Sequence, residues 1–157
     1  MILDSEVIQL EAGRFESTLG DSPLAFMSGG VILRHDKQLM GADSAQYNPL
    51  SKALILEGDV RYEDPGTQIN SDIAEFSYGN GHIQFDGATF LVGASNGRGS
   101  ADVLEISRNG RLELGDVEYT TCPFGSEDWL IQGKSIVLDT KKGISSVKGM
   151  KLKFKGL

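Results

Sequence analysis

The sequence predicts an all-β protein in which repeated strand pairs stack around one long apolar interior. Two short phrases recur along the 157 residues with nearly the same period, and glycines separate segments of alternating apolar and polar residues. No segment has a helical period of useful length, and the nearest candidate, residues 26–33, contains the pair Gly29-Gly30. We therefore expect roughly ten to twelve strands in a single domain over residues 1–157.

The first phrase couples glycine, often with aspartate, to an apolar residue that begins an alternating segment. Its apolar members lie 29, 28, 29 and 33 residues apart, at Val31, Val60, Ala88, Val117 and Met150. A fixed period of this size is typical of stacked structural units. Because Gly58, Gly87 and Gly115 interrupt strict alternation, they predict bends or bulges where the sheet curves.

The second phrase places an aspartate before an alternating segment, at Asp43, Asp72 and Asp102, with spacings of 29 and 30 residues. The dense glycine–aspartate nonapeptide of calcium-binding solenoids is absent from the sequence, so this repeat predicts no metal site. Aspartate side chains readily accept hydrogen bonds from nearby backbone N–H groups. We therefore expect each of these residues to cap the start of a strand.

Alternation defines the individual strands most clearly in the middle of the chain. A strand over residues 53–62 and its successor over residues 69–76 flank Asp64-Pro65-Gly66-Thr67, which has the composition of a turn. Another turn at residues 78–81 precedes a strand with Ile83 and Phe85 on one face, and Asn109-Gly110 predicts a tight hairpin. Period two directs the following candidate groove residues toward the interior: Tyr47, Leu54, Leu56, Val60, Tyr62, Phe76, Phe85, Phe90, Leu104, Ile106, Val117 and Tyr119.

The charge is unevenly distributed along the chain. Residues 1–129 carry 8 basic and 21 acidic side chains, whereas residues 130–157 carry 7 lysines and only Asp139. Two interpretations of the C-terminal lysines stay open. Either Lys151, Lys153 and Lys155 form the solvated face of a strand while Met150, Leu152 and Phe154 face the core, or the lysines face an anion. A nucleic-acid partner is not expected, since no basic stripe follows the body of the chain.

Catalysis receives little support from the sequence. His35 and His82 lie in different repeats without motif partners, and the single Cys122 has neither a CxxC partner nor a paired histidine. The glycines over residues 93–99 lack the Lys-Ser/Thr of a phosphate-binding loop. We therefore predict that the protein is not an enzyme and that it uses no cofactor or metal.

Periodicity leaves the state of the interior open. A closed interior would be an ordinary core, whereas an interior open at a seam would shield acyl chains, at about 0.8 kcal/mol per buried methylene. The second state predicts a lipid-binding protein, and the first a closed β-solenoid with a structural or glycan-binding role.

A resemblance to a known family favours the open interior. The segment Gly97-Arg98-Gly99-Ser100-Ala101-Asp102, followed by Tyr119-Thr120-Thr121-Cys122-Pro123 and then Trp129, resembles the N-terminal periplasmic domain of the LptD family, which assembles lipopolysaccharide (LPS) at the outer membrane of Gram-negative bacteria. The half-repeats around Asp43 and Asp72 are similar to the OstA-like repeat of the related bridge proteins.

The resemblance implies a β-jellyroll, or β-taco, of two V-shaped antiparallel sheets around an apolar groove. It implies LPS transport, with the acyl chains inside the groove and the sugars outside. The implied partners are LPS, an LptA-like bridge protein at the N-terminal edge strand, the protein's own C-terminal barrel, and an LptE-like lipoprotein. The implied location is the periplasmic side of the outer membrane, and in the family a barrel would continue beyond residue 157.

The resemblance also implies a role for Cys122. Well-studied members join the equivalent cysteine to one near the end of the barrel. In the isolated chain we expect a free thiol, and in a full-length protein a disulfide between this domain and the barrel, as an oxidising periplasm permits.

Overall fold

The computed structural model describes residues 9–18, 20–77, 79–93, 96–107, 109–123, 128–139 and 143–154, with the backbone alone for residues 143–145. The described residues contain strands and no α-helix. No helix long and apolar enough to cross a membrane is therefore found among them. The strands are β1 (Gln9–Thr18), β2 (Leu24–His35), β3 (Gln38–Ala42), β4 (Ser44–Asn48), β5 (Ala53–Asp64), β6 (Thr67–Ser77), β7 (His82–Val92), β8 (Gly97–Ile106), β9 (Arg111–Thr120), β10 (Trp129–Asp139), β11 (Gly143–Lys148) and β12 (Lys151–Phe154).

The strands form one antiparallel meander. β3 and β4 act as a single bent strand, because β3 pairs with β2 and β5, and β4 pairs with the same two strands. β11 and β12 likewise both pair with β10. The predicted all-β jellyroll is confirmed. Its two predicted sheets are continuous with each other, and we describe them as two arms that meet at a corner.

The corner is built from the glycine repeat. Between Glu57 and Val60 the register of β5 on β6 shifts, and Gly58 and Asp59 there have φ values of 83° and 46°. Gly87 in β7 (φ 64°) and Asp116 in β9 (φ 51°) lie at the corresponding interruptions of their own ladders. A positive φ and a bulge bend a strand sharply. The bends predicted from the glycine repeat are therefore present.

The aspartate repeat lies opposite the glycine repeat and does not cap strands as expected. Asp72 and Asp102 lie in the middle of β6 and β8, so the expectation of a cap at the start of a strand is wrong for both. Asp43 lies between β3 and β4, where its backbone N–H donates to the carbonyl of Gly58 at 2.8 Å. A Cβ at Gly58 would lie 2.5 Å from Oδ2 of Asp43, so the glycine leaves room for the carboxylate at the bend.

The two arms face each other across the core. The first arm contains β3 and β12, the second contains β4 and β11, and the long strands β2 and β5–β10 cross the corner into both. Tyr62 of the first arm and Phe85 of the second form an edge-to-face pair with ring centroids 5.6 Å apart. The buried apolar residues of every central strand lie on this inner face. Burial of this face drives the sheet to fold on itself.

Candidate functional site

The predicted groove residues all lie on the inner face of the arms. Tyr47 is half-buried. The others expose at most 5% of their surface: Leu54, Leu56, Val60, Tyr62, Phe76, Phe85, Phe90, Leu104, Ile106, Val117 and Tyr119. Their predicted contact with lipid stays a prediction, but the period-two assignment placed each of them on the correct side of the sheet.

The interior holds an apolar cavity of about 390 Å³ at its N-terminal end. The lining residues come from both arms: Leu10, Phe15, Ala25, Met27, Leu33, Tyr47, Leu54 and Phe76. The predicted groove residues include only Tyr47, Leu54 and Phe76 of this lining, because no residue before Tyr47 was assigned to the groove. The alternation that could have found the others is present, since β1 pairs with β2 through Leu10 with Leu33 and Phe15 with Met27.

The middle of the interior is packed shut. The Tyr62–Phe85 pair joins the arms there, and on the first arm the rings of Phe90 and Tyr119 stack with centroids 6.3 Å apart. Gly97 faces this stack, because a Cβ added to it would lie 2.5 Å from the hydroxyl oxygen of Tyr119. A larger residue at Gly97 would therefore collide with the aromatic stack.

Both ends of the interior are exposed. Every residue of β1 is exposed, and Phe15, on the inner side, exposes 63% of its surface. At the other end, Ile131 of β10 pairs with both Tyr119 and Leu152, which places Leu152 on the inner side of β12. Leu152 is nevertheless 45% exposed. The inner surface thus continues to the solvent at both edges of the described sheet.

The last strand has the predicted alternation. Lys151 and Lys153 are exposed and alternate with Leu152 and Phe154. Lys155 lies outside the described residues. The expected core packing of Met150, Leu152 and Phe154 is not found, since they expose 56%, 45% and 57% of their surface at the edge.

A polar group of five residues, here called the rim cluster, interrupts the apolar inner face where β2 and β5 end and β3 and β6 begin: His35, Gln38, Tyr62, Asp64 and Thr67. The Tyr62 hydroxyl donates to Oδ2 of Asp64 at 2.7 Å and accepts from Nε2 of Gln38 at 3.1 Å. Oε1 of Gln38 lies 3.3 Å from Nδ1 of His35, whose ring contacts Phe76 of the second arm edge-on, with centroids 6.4 Å apart.

Burial and the neighbouring Asp64 carboxylate both raise the pKa of the Tyr62 hydroxyl. Desolvation raises the pKa of its hydroxyl above the usual value of 10.0, and the hydrogen bond to Asp64 and the charge of Asp64 raise it further. The phenol therefore stays protonated and continues to donate to Asp64.

The two motif segments around Cys122 contact each other directly. Nε and Nη2 of Arg98 donate to the carbonyls of Cys122 and Pro123 at 3.0 and 3.1 Å. The Thr120 hydroxyl donates to the carbonyl of Trp129 at 2.7 Å and accepts the backbone N–H of Cys122 at 3.1 Å. The thiol of Cys122 is free and buried.

The two histidines lie in different arms. His35 lies at the rim of the first arm, and His82 lies at the start of β7 in the second arm, 3.4 Å from Glu105. Within the described ranges, no three side chains of the His, Cys, Asp and Glu types converge on a possible metal position. A hollow of about 410 Å³ on the outer face of the first arm is lined largely by polar side chains, including Gln68, Asn70 and Arg98, and does not suit an acyl chain.

The bent, two-armed sheet defines the fold class as a β-jellyroll. Its fold is similar to the crystal structure of LptH, "the LptA homologous periplasmic component of the conserved lipopolysaccharide transport device from Pseudomonas aeruginosa". The TM-score is 0.53 at 13% sequence identity, and the match covers 97% of this chain and 98% of LptH.

The particular resemblance is to proteins named LPS-assembly protein LptD. The chain is 30% identical over 147 residues to LptD of Pseudomonas syringae pv. syringae, and 28% identical over 146 residues to that of Nitrosococcus oceani. The matches cover 94% and 93% of this chain, but only 16% and 20% of those proteins. No family model matches. The resemblance to LptD that the sequence motifs predicted is therefore confirmed over most of this chain.

Proposed function

We propose that this chain takes part in LPS transport and assembly by shielding the acyl chains of LPS between its two arms. The observation that carries the proposal is the apolar inner face, which runs from β1 to β12 and is exposed at both edges. The similarity to LptD and to LptH supports the same function. These relatives are named for assembly and transport, which is consistent with a protein that is not an enzyme.

The N-terminal cavity is the entry point in this proposal. Phe15 and Leu33 line it from different strands, and it holds about 390 Å³. Each methylene that leaves water for such a surface gains about 0.8 kcal/mol. Passage further along requires the arms to separate, because Tyr62 and Phe85 are in contact in the middle of the interior.

The edge strands supply the proposed docking sites. β1 pairs with β2 on one side, and its ten residues are exposed. An exposed edge strand offers unpaired backbone groups that another chain can extend by strand addition. We assign this edge to an LptA-like bridge protein, and the β11–β12 edge to the C-terminal barrel with its LptE-like lipoprotein. The corresponding location is the periplasmic side of the outer membrane.

Cys122 is the proposed anchor between this region and the barrel. In a full-length protein its thiol forms a disulfide with a cysteine of the barrel, as an oxidising compartment allows. Mass analysis of the unreduced full-length protein after alkylation tests this assignment. An unmodified Cys122 is the expected result, and complete alkylation of Cys122 contradicts it.

Photocrosslinking tests the transport proposal directly. A photoreactive amino acid is placed singly at Tyr62, Phe76, Phe90 or Tyr119 in cells that export LPS. We expect crosslinks to LPS at these inner positions. The matched controls are Arg61 and Glu75, which are exposed on the outer face next to Tyr62 and Phe76, and they should give none.

A closed β-solenoid that binds glycan is not favoured by the comparisons. The described strands form a meander of antiparallel neighbours that is folded at a corner. Under that alternative the inner positions of a folded protein would give no crosslink to LPS, and this outcome would overturn the proposed function.

A further inference from the structure

The rim cluster places polar side chains where the rest of the inner face is apolar. Register pairs Asp64 of β5 with Thr67 of β6, so these two side chains are direct neighbours across the hairpin. One row further into the interior, Tyr62 pairs with Ile69, and both are 1% exposed. The cluster therefore lies at the boundary between the apolar interior and the mouth of the first arm.

Thr67 is the member whose bonding is incomplete. It is 3% exposed, and among the described residues its Oγ1 has no hydrogen-bond partner. Buried hydroxyl groups are normally hydrogen-bonded, because a missing partner leaves their desolvation uncompensated. Tyr62 and Gln38 of the same cluster are hydrogen-bonded to each other, whereas the hydroxyl of Thr67 is not hydrogen-bonded to any described residue.

We propose that the rim cluster binds the polar junction where an acyl chain is joined to a sugar by an amide. This inference rests on the proposed function and adds a specificity site to it. The Thr67 hydroxyl supplies a donor for the amide carbonyl. The Asp64 oxygens already accept from Tyr62 and from the backbone N–H of Gly66, and their remaining lone pairs can accept the amide N–H. Tyr62, through its bond to Asp64 at 2.7 Å, positions the carboxylate. The chain itself then extends into the apolar interior past Ile69.

Access to Thr67 requires the movement that passage of lipid already requires. His35 of the cluster contacts Phe76 across the arms, and Tyr62 contacts Phe85. Separation of the arms breaks both contacts and exposes the inner rim. A ligand that forms hydrogen bonds with Thr67 and Asp64 stabilises the separated state, to the extent that the ligand binds this state more tightly than the closed one.

The test is Thr67→Val, which removes the hydroxyl and keeps the shape of the side chain. Isothermal titration of the chain uses two probes below their micelle concentrations: N-myristoyl glucosamine, and a thioether-linked alkyl glucoside of equal chain length without an amide. We expect the wild type to prefer the amide probe, and Thr67→Val to bind that probe roughly tenfold more weakly. Binding of the amide-free probe should be unchanged.

Urea unfolding separates a ligand site from a structural role. Because the hydroxyl has no partner among the described residues of the unliganded protein, Thr67→Val should raise the unfolding midpoint. A lowered midpoint would indicate a structural hydrogen bond and contradict the assignment. The matched control is Thr89→Val on the exposed outer face of β7, which should change neither affinity nor midpoint.

The outcomes for the two proposals are distinct. Equal loss of both probes in Thr67→Val, or no loss of either, overturns the assignment of the rim cluster while lipid binding by the wild type stands. If the wild type binds neither probe, the result counts against the proposed function itself.

Discussion

The N-terminal end and the middle of the interior are built from the same strand repeat but are in different states. At the end, Phe15 and Leu33 face a cavity of about 390 Å³. In the middle, Tyr62, Phe85 and Leu104 are almost fully buried, and aromatic rings join the arms. Each central strand has a neighbour on both sides, whereas β1 has one on the described sheet. Apolar residues at equivalent inward positions of the repeat are therefore core in the middle and exposed apolar surface at the N-terminal end.

The largest expected effect is on stability, in the closed middle. Phe85→Ala removes a fully buried ring that joins the arms, and we expect it to lower the free energy of unfolding by about 3–5 kcal/mol. Urea denaturation followed by circular dichroism measures the loss. Phe15→Ala, at the open end, is the matched control and should lose no more than about 0.5 kcal/mol, because most of its ring is in water in the folded protein. Similar losses for the two variants would contradict the comparison.

A smaller effect is expected at the corner that both regions share. Gly58→Ala introduces a Cβ at φ 83°, within 2.5 Å of the Asp43 carboxylate. Strained backbone of this kind costs about 1–3 kcal/mol, so the unfolding midpoint should fall accordingly. Gly66→Ala lies in the β5–β6 turn, where an added Cβ would meet nothing within 4 Å, and it should leave the midpoint nearly unchanged. Equal effects at the two glycines would mean that the corner tolerates a side chain.

Alkaline pH tests the rim cluster, which lies at the mouth of the first arm and includes Tyr62 of the closed middle. The pKa of Tyr62 is raised in the folded protein, so above about pH 10 the unfolded chain releases this proton first. Stability supplied by the protonated phenol is complete below that pH and decreases as the pH rises. Tyr62→Phe should be destabilised by about 1 kcal/mol at neutral pH, through its lost bonds to Asp64 and Gln38. It should also show a shallower loss of stability above pH 10, and an unchanged slope would contradict the role assigned to Tyr62.

The inward-facing residues and the positions of the bends could be predicted from the sequence. Alternation placed Leu56 and Tyr62 inside, and the glycine repeat located the bends, because period and positive φ are local properties. The state of the interior was not readable, since closure depends on whether rings of different arms meet, as Tyr62 and Phe85 do. The rim cluster was also missed, because its residues come from four strands, β2, β3, β5 and β6. The segment Asp64–Thr67 was correctly identified as a turn, but its side chains carried no visible motif.

The smallest effect on stability is expected at Phe15, where a substitution should have the clearest effect on crosslinking to LPS. Phe15→Ser changes an exposed residue of β1, so the unfolding free energy should shift by no more than about 0.5 kcal/mol. Its ring nevertheless lines the N-terminal cavity, and we expect fewer crosslinks between LPS and a photoreactive residue at Phe76. Phe26→Ser is the matched control, because Phe26 is also exposed but alternates with Met27 on the outer side of β2. Loss of crosslinking in both variants would indicate a general effect of surface aromatics, whereas loss in Phe15→Ser alone identifies the open end as the part of the interior that receives the acyl chain.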